Sequence, residues 1–185
     1  MLRPWEKIDE TEIRAKNPWW EYRFERVKLP NGKEGEYHYM HTPIGVSVIP
    51  RMADGKFFLV RQYRHLFGRE SLEFCGGGGE EDVPPEETAR RECEEETGMA
   101  PRTLRFIGKG APYLGACDET LYIFLAEDLQ EKGKGRRLPD ESEDFEFAFL
   151  TAKEIEEAIV DGRIFNLETI AAWHMVKQFL FNEEI

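Results

Sequence analysis

Arg91-Glu92-Cys93-Glu94-Glu95-Glu96-Thr97-Gly98-Met99 is the stretch that decides the fold of this 185-residue chain. If the stretch is helical, Glu92, Glu95 and Glu96 lie three and four residues apart, so that their carboxylates share one face. These carboxylates repel one another, and lysine does not alternate with them as it does along a stabilised surface helix. Clustered carboxylates are ligands that Mg²⁺ and Mn²⁺ prefer. The stretch therefore indicates a divalent-cation site in preference to a solvated acidic face.

Prolines and glycines mark the ends of this helix. Pro84 and Pro85 suit a first helical turn and Gly98 ends a helix, so we predict a helix over residues 84–97. Four glycines, at positions 76 to 79, precede the helix. We predict that they form a loop, because glycine permits unusual backbone angles and lets a ligand approach main-chain groups closely.

The acidic residues are concentrated in two short segments. Residues 80–98 contain nine acids against two arginines, and residues 140–146 contain five acids and no base. Together these segments carry the whole net charge of −12. A chain without a basic excess is not expected to bind nucleic acid, because phosphate backbones require Lys and Arg. With 41% hydrophobic residues the chain is expected to fold as one domain, or as one domain with a small appendage.

The remaining sequence mixes strand and helix patterns. Residues 1–41 are typical of an accessory antiparallel β segment of two or three strands, with Asn31-Gly32 as a hairpin turn. In residues 42–185 we predict strands at 45–49 and 56–62, which pair with each other, and at 71–74, 104–108, 120–126 and 145–149. Helices are predicted from Thr151 to Val160, with a capping box, and from Asn166 to Phe181. This order predicts an α+β fold or an α/β/α sandwich with a mixed sheet.

The helix and its glycines resemble the signature of the Nudix hydrolases, G-x5-E-x7-R-E-U-x-E-E-x-G-U, in which U is an apolar residue. Gly77 takes the first position, and Arg91 to Met99 fill the last block. Val83 stands where the family has its first glutamate, and Asp82 lies one residue earlier. Eight of the nine fixed positions therefore match.

The resemblance implies a fold and a metal site. The fold is the α/β/α sandwich of the family, with residues 42–185 as its catalytic domain. Glu92, Glu95, Glu96 and the carbonyl of Gly76 are implied as ligands of Mg²⁺, or of Mn²⁺, with roughly two or three cations per site. Arg91 is implied to orient a glutamate by an ion pair, and Glu95 is implied to take part in catalysis.

Other segments resemble the Nudix subgroup that hydrolyses ADP-ribose and related nucleoside diphosphate sugars. In that subgroup a loop like residues 139–144 supplies a base and, two positions on, a metal ligand. The resemblance implies Glu141 as the base and Glu143 as the ligand, or the reverse order. The implied substrate-binding residues are Arg61 and Arg64, which could bind a phosphate or stack on a base, Glu73, Gly115, and Trp20, Tyr22 or both. For the two arginines a surface ion pair is the alternative, and for Trp20 the alternative is packing in the core or in a dimer.

We therefore predict a Mg²⁺-dependent hydrolase of nucleoside diphosphate sugars. The first candidate substrates are ADP-ribose and GDP-mannose, and the products are a nucleoside monophosphate and a sugar phosphate. The alternatives are a (d)NTP or dinucleotide pyrophosphatase, a catalytically silent nucleotide-sensing domain, and an acidic scaffold without a ligand. The resemblance also implies a homodimer that exchanges N-terminal strands and brings an aromatic residue to the partner's site. Three cysteines without CxxC spacing, and the lack of a signal peptide or membrane span, predict a cytoplasmic protein that binds neither membranes nor nucleic acid.

Overall fold

The computed structural model describes residues 3–131 and 145–183, with three helices and a series of strands. The strands are β1 (Glu6–Lys7), β2 (Glu12–Lys16), β3 (Glu21–Lys28), β4 (Glu34–His41), β5 (Ile44–Pro50), β6 (Phe57–Arg64), β7 (Arg69–Glu73), β8 (Cys75–Gly79), β9 (Met99–Gly110), β10 (Leu121–Glu131) and β11 (Phe145–Leu150). The helices are α1 (Pro85–Thr97), α2 (Ala152–Val160) and α3 (Leu167–Glu183).

The N-terminal segment forms its own antiparallel sheet around β3. Strand β4 pairs with the whole length of β3, while β1 and β2 pair with successive parts of its other edge. The predicted hairpin turn is present, because Leu29 N donates to Lys33 O at 2.8 Å and Gly32 has a φ of 81°. The sheet has four strands where we predicted two or three, since β1 is a two-residue strand without a pattern of its own.

Two further sheets form the main body. One is mixed, in the order β8-β5-β10-β9, with β5 and β10 parallel; the other is antiparallel, in the order β11-β6-β7. The prediction that β5 and β6 pair was wrong. Both edges of β5 are taken by β8 and β10. In the described structure an isolated bridge joins Arg51, the residue after β5, to Phe57 of β6 across the turn between the strands.

The helices begin and end close to where the sequence placed them. Helix α1 ends at Gly98, which has a φ of 74° and donates its N–H to Glu94 O at 2.9 Å. Helix α2 begins with the predicted capping box, in which the side chains of Thr151 and Glu154 each bond to the other's backbone N–H. At the start of α3, Asn166 Oδ1 accepts the N–H of Glu168 at 2.8 Å.

Alternation along the strands divides the apolar core into two clusters. Phe57 and Leu59 pack with residues of α2 and α3, such as Ile155 and Trp173. Their neighbours on the same strand point the other way: Phe58 and Val60 pack with Ala89 and Cys93 of α1 and with Cys75 of β8. Helices therefore cover both faces of the strands, which confirms the predicted mixed α+β sandwich.

The cysteines are buried and are not joined by disulfides. Burial raises the pKa of Cys93 to about 12, so this residue is a neutral thiol at physiological pH. Within the described residues, no helix has the length and apolar character needed to cross a membrane.

Candidate active site

The face of α1 predicted to hold a cation is formed by Arg91, Glu92, Glu95 and Glu96, and is called the α1 face below. Arg91 Nη2 lies 2.9 Å from Glu92 Oε1, and Arg91 Nη1 lies 3.6 Å from Glu95 Oε2. The same guanidinium reaches Gly78 O at 3.4 Å. The arginine therefore pairs with two of the three carboxylates and also bonds to the strand before the helix.

The four glycines do not form a loop, and that prediction was wrong. They belong to β8, which pairs with β5 from Cys75 to Gly79, and none of them has a positive φ. Their lack of side chains matters for packing. A side chain at Gly76 would clash with the backbone carbonyl of Val46, and a Cβ at Gly77 would lie 2.8 Å from Glu92 Oε1. Strand β8 can approach α1 this closely because it has no side chains there.

Glu96 lies with one carboxylate oxygen buried next to the glycine strand. The N–H of Gly76 donates a long hydrogen bond of 3.5 Å to Glu96 Oε1, and Glu96 Oε2 is buried. The structure thus brings Gly76, Glu92 and Glu96 together between one helix and one strand.

This donor set fits a hard divalent cation in its chemistry, because carboxylate and backbone oxygens are the ligands such ions prefer. The glycine strand leaves room for a carboxylate where a side chain would otherwise be. Within residues 3–131 and 145–183, however, no three His, Cys, Asp or Glu side chains are already grouped as a metal site. Glu141 and Glu143, the predicted base and further ligand, lie outside the described residues.

A second group of polar side chains joins three separate segments. Arg64 at the end of β6 donates to both carboxylate oxygens of Glu73 on β7, with Nε at 2.8 Å from Oε1. Asn166 Nδ2, before α3, donates to Glu73 Oε2 at 2.8 Å. Burial alone would raise the pKa of Glu73, but the Arg64 guanidinium and the Asn166 amide lower it below the ordinary value. We call Arg64, Glu73 and Asn166 the Arg64 network.

The network lies near further acidic side chains that the sequence analysis did not single out. Burial, followed by the charges of Glu119 and Glu73, raises the pKa of Glu168. Burial and the charge of Asp118 raise the pKa of Glu119. Glu73 precedes Gly76 by three residues, and the N–H of Gly76 donates to Glu96, so the network lies close along the chain to the strand that contacts the α1 face. No sequence spacing connects these residues, because they come from distant segments.

Arg61 is not brought to this group. It lies three residues from Arg64 on β6, and neighbouring positions on a strand alternate between its faces. Arg61 is instead paired with Glu146 and, at 3.6 Å, with Glu70. It lines a groove of about 500 Å³ together with Arg69, Arg163 and parts of β7 and β11.

The remaining predicted contacts lie on or near the N-terminal sheet. Tyr22 Oη lies 2.7 Å from His38 Nδ1, and Trp20 is 37% exposed. The sheet meets the main body at residues 111–120, where Tyr37 Oη donates to Gly115 O at 3.4 Å. A groove of about 390 Å³ lies along this junction. The described contacts do not join Trp20 or Tyr22 to the α1 face of the same chain.

Strand β11 locates the end of the second acidic segment. Phe145 pairs with Gln62, so β11 begins beside a residue of β6 that is two positions from Arg64. Glu141 and Glu143 precede this strand by four and two residues along the chain.

Comparisons with known proteins show a family match and similarity to curated enzymes. A family model described as NUDIX domain matches residues 41–172. The ADP-ribose pyrophosphatase of Bacillus subtilis (strain 168) is 33% identical to this chain over 148 residues, which cover 80% of each protein. The GDP-mannose pyrophosphatase of Pectobacterium atrosepticum is 35% identical over 127 residues, 64% of each protein.

A solved structure shares the fold of nearly the whole chain. The crystal structure of an ADP compounds hydrolase superposes with a TM-score of 0.83 and 21% sequence identity, covering 99% of this chain and 97% of that one. The likeness extends over the N-terminal sheet as well as the main body, and it confirms the predicted fold class.

Proposed function

Because this chain belongs to the Nudix family of hydrolases, which act on pyrophosphate bonds, we propose that its substrates are nucleoside diphosphate sugars, with ADP-ribose and GDP-mannose first. The products are a nucleoside monophosphate and a sugar phosphate. The α1 face carries the proposal. Three carboxylates, one arginine and a glycine strand that makes room for Glu92 form a site suited to a pyrophosphate and its cations.

Nudix hydrolases generally use divalent metal ions such as Mg²⁺. In this chain Glu92, Glu95, Glu96 and the Gly76 carbonyl would hold Mg²⁺, or Mn²⁺, and we propose Glu143 as a further ligand. When bound, roughly two or three such cations would neutralise phosphate charge and acidify a water molecule.

The chain's own side chains supply position and proton transfer. Arg91 holds the carboxylates of Glu92 and Glu95 in place. Arg64, whose side chain is 44% exposed although Glu73 fixes it, can offer its outer N–H groups to a phosphate or its plane to a base. We assign proton abstraction from the attacking water to Glu141, with Glu143 as the alternative base.

A substrate panel with purified protein tests this proposal. The panel contains ADP-ribose, GDP-mannose, UDP-glucose, NADH and dGTP, each with Mg²⁺, and the products are separated by ion-exchange chromatography. We expect nucleoside monophosphate and sugar phosphate from at least one nucleotide sugar, and no turnover in EDTA. Preferential cleavage of dGTP or NADH would replace the proposal by a (d)NTP or dinucleotide pyrophosphatase. Tight nucleotide binding without turnover would indicate a sensing domain.

We also propose that the working form is a cytoplasmic homodimer joined through the N-terminal segment, residues 1–41. Trp19 is 76% exposed and Trp20 37% exposed on this segment, and buried cysteines without disulfides suit a reducing compartment. In a dimer, Trp20 or Tyr22 would contact the nucleoside in the partner's site. Light scattering after size exclusion gives the mass directly, and a monomer at micromolar concentration would contradict this part of the proposal.

A further inference from the structure

We propose that Asn166 is a positioning residue, which fixes the substrate-binding guanidinium of Arg64 through the carboxylate of Glu73. The inference rests on the proposed function, because it takes Arg64 as a group that contacts the nucleotide. It assigns to Asn166 a role beyond capping a helix, which was all that the sequence indicated.

Both polar atoms of the Asn166 side chain form hydrogen bonds. Its Oδ1 accepts the N–H of Glu168 at 2.8 Å, and its backbone carbonyl accepts the N–H of Ile170 at 3.1 Å, so the residue begins α3. Its Nδ2 points away from the helix and donates to Glu73 Oε2 at 2.8 Å. The amide has separate atoms for capping and for donation. Ionised aspartate has no donor, and serine and threonine have one oxygen on a shorter side chain, which cannot replace both Oδ1 and Nδ2.

The receiving carboxylate is buried and faces a charged partner. Glu73 is 3% exposed, and both of its oxygens accept N–H groups of Arg64. The Asn166 amide adds a third donor from a different direction. Three donors from two segments fix the plane of the carboxylate, and a carboxylate with a fixed plane fixes a guanidinium that is bound to it at two points.

The start of α3 is anchored to the same part of the chain by a second bond. The N–H of Phe74, the residue after Glu73, donates to Thr169 Oγ1 at 3.4 Å. The start of α3 therefore contacts two consecutive residues, the last residue of β7 and the one that joins β7 to β8. The position of Arg64 is coupled to the main core through this helix, although Arg64 itself lies at an exposed strand end.

Substitutions at Asn166 separate capping from positioning. Asn166→Ser keeps a good cap oxygen but removes Nδ2, the atom that reaches Glu73. Asn166→Asp also keeps the cap, but it sets a second carboxylate against Glu73. Thr151→Ala, which removes the cap of α2 away from the network, is the matched control and should cost about 1 kcal/mol of stability.

We expect Asn166→Ser to raise the KM for the nucleotide sugar about tenfold, with a much smaller change in kcat and a fall in Tm comparable to that of Thr151→Ala. Asn166→Asp should raise KM further. Thr151→Ala should lower Tm and leave KM unchanged. An unchanged KM in Asn166→Ser, or an equal rise in Thr151→Ala, would overturn the inference.

A double substitution tests whether the effect passes through Arg64. In an Arg64→Lys background, which has already lost the two-point bond, Asn166→Ser should have little further effect on KM. Full additivity of the two substitutions would show that Asn166 does not act through Arg64.

The wild type is assayed first, so that failure of the proposed function is seen separately. If it hydrolyses none of the nucleotide sugars, the same variants are compared by the Kd of ADP-ribose, measured by calorimetry in EDTA. A Kd weakened about tenfold in Asn166→Ser still supports the positioning role. An unchanged Kd, or no binding by the wild type, overturns it.

Discussion

The α1 face and the Arg64 network both hold glutamates against one arginine, but they do so in different ways. In the α1 face, Arg91 is about half exposed and shared between Glu92 and Glu95, which are themselves partly exposed. In the network, Glu73 is almost fully buried and receives bonds from Arg64 and Asn166. An exposed, shared arginine can give way to a cation, whereas a buried carboxylate with three donors resists rearrangement. The first arrangement suits chemistry, and the second suits fixed geometry.

The largest expected effect comes from breaking the α1 face. Glu96→Gln removes a negative charge from the proposed cation site while keeping the shape of the side chain. We expect turnover to fall by at least about 100-fold, since a bound cation contributes several kcal/mol to catalysis. The Tm should change little, because the three carboxylates repel one another in the absence of cations. Product formation at saturating Mg²⁺ and thermal unfolding measure the two effects.

Glu87→Gln is the control for this substitution. It makes the same chemical change on an exposed residue in the first turn of the same helix, and it should leave turnover within about twofold of the wild type. Equal rates for the two variants would refute the assignment of Glu96.

The contrast between the two groups also explains what the sequence could predict. The members of the α1 face lie within six residues of one helix, so helical periodicity alone places Glu92, Glu95 and Glu96 together. The Arg64 network joins residues that are nine and 93 positions apart in the chain. No local sequence pattern predicts contacts between residues so far apart, and Asn166 was therefore predicted only as a helix cap.

The two wrong predictions about local structure have physical reasons. Glycines 76 to 79 suggested a flexible loop, but they form a strand whose lack of side chains makes room for Glu92 and for the backbone of β5. The turn between β5 and β6 suggested a hairpin, but better partners, β8 and β10, occupy both edges of β5. In both cases tertiary contacts decided what the local signal left open.

The Arg64 network should be visible in the stability of the protein and in its dependence on pH. Glu73 has a pKa below its ordinary value of 4.5, so its ionised form stabilises the folded state. This contribution is present above the pKa of the unfolded chain, and it is lost as the pH falls through the lower pKa of the folded state. We expect Glu73→Gln to lower the free energy of unfolding by about 2 kcal/mol at pH 7, and by much less near pH 3.

Urea unfolding at the two pH values measures this difference. Glu70→Gln is the control. Glu70 lies on the same strand as Glu73 and is an exposed partner of Arg61, and its substitution should cost less than about 0.5 kcal/mol at either pH. A Glu73→Gln deficit that stays constant with pH would show that packing, and not the charge of Glu73, accounts for its stabilising effect.

The smallest expected effect concerns the glycine strand, and it tests how closely the α1 face depends on its surroundings. Adding a methyl group at Gly77 would place a Cβ 2.8 Å from the carboxylate of Glu92, whereas the same addition at Gly78 meets nothing within 4 Å. The end of a glutamate side chain can move aside with little loss of stability, but its carboxylate then leaves the position that Arg91 holds. We expect Gly77→Ala to lower kcat about tenfold with nearly unchanged Tm, and Gly78→Ala to match the wild type in both. If Gly78→Ala were as impaired as Gly77→Ala, backbone freedom of the strand would matter more than space for Glu92, and the comparison with the rigid Arg64 network would lose its basis.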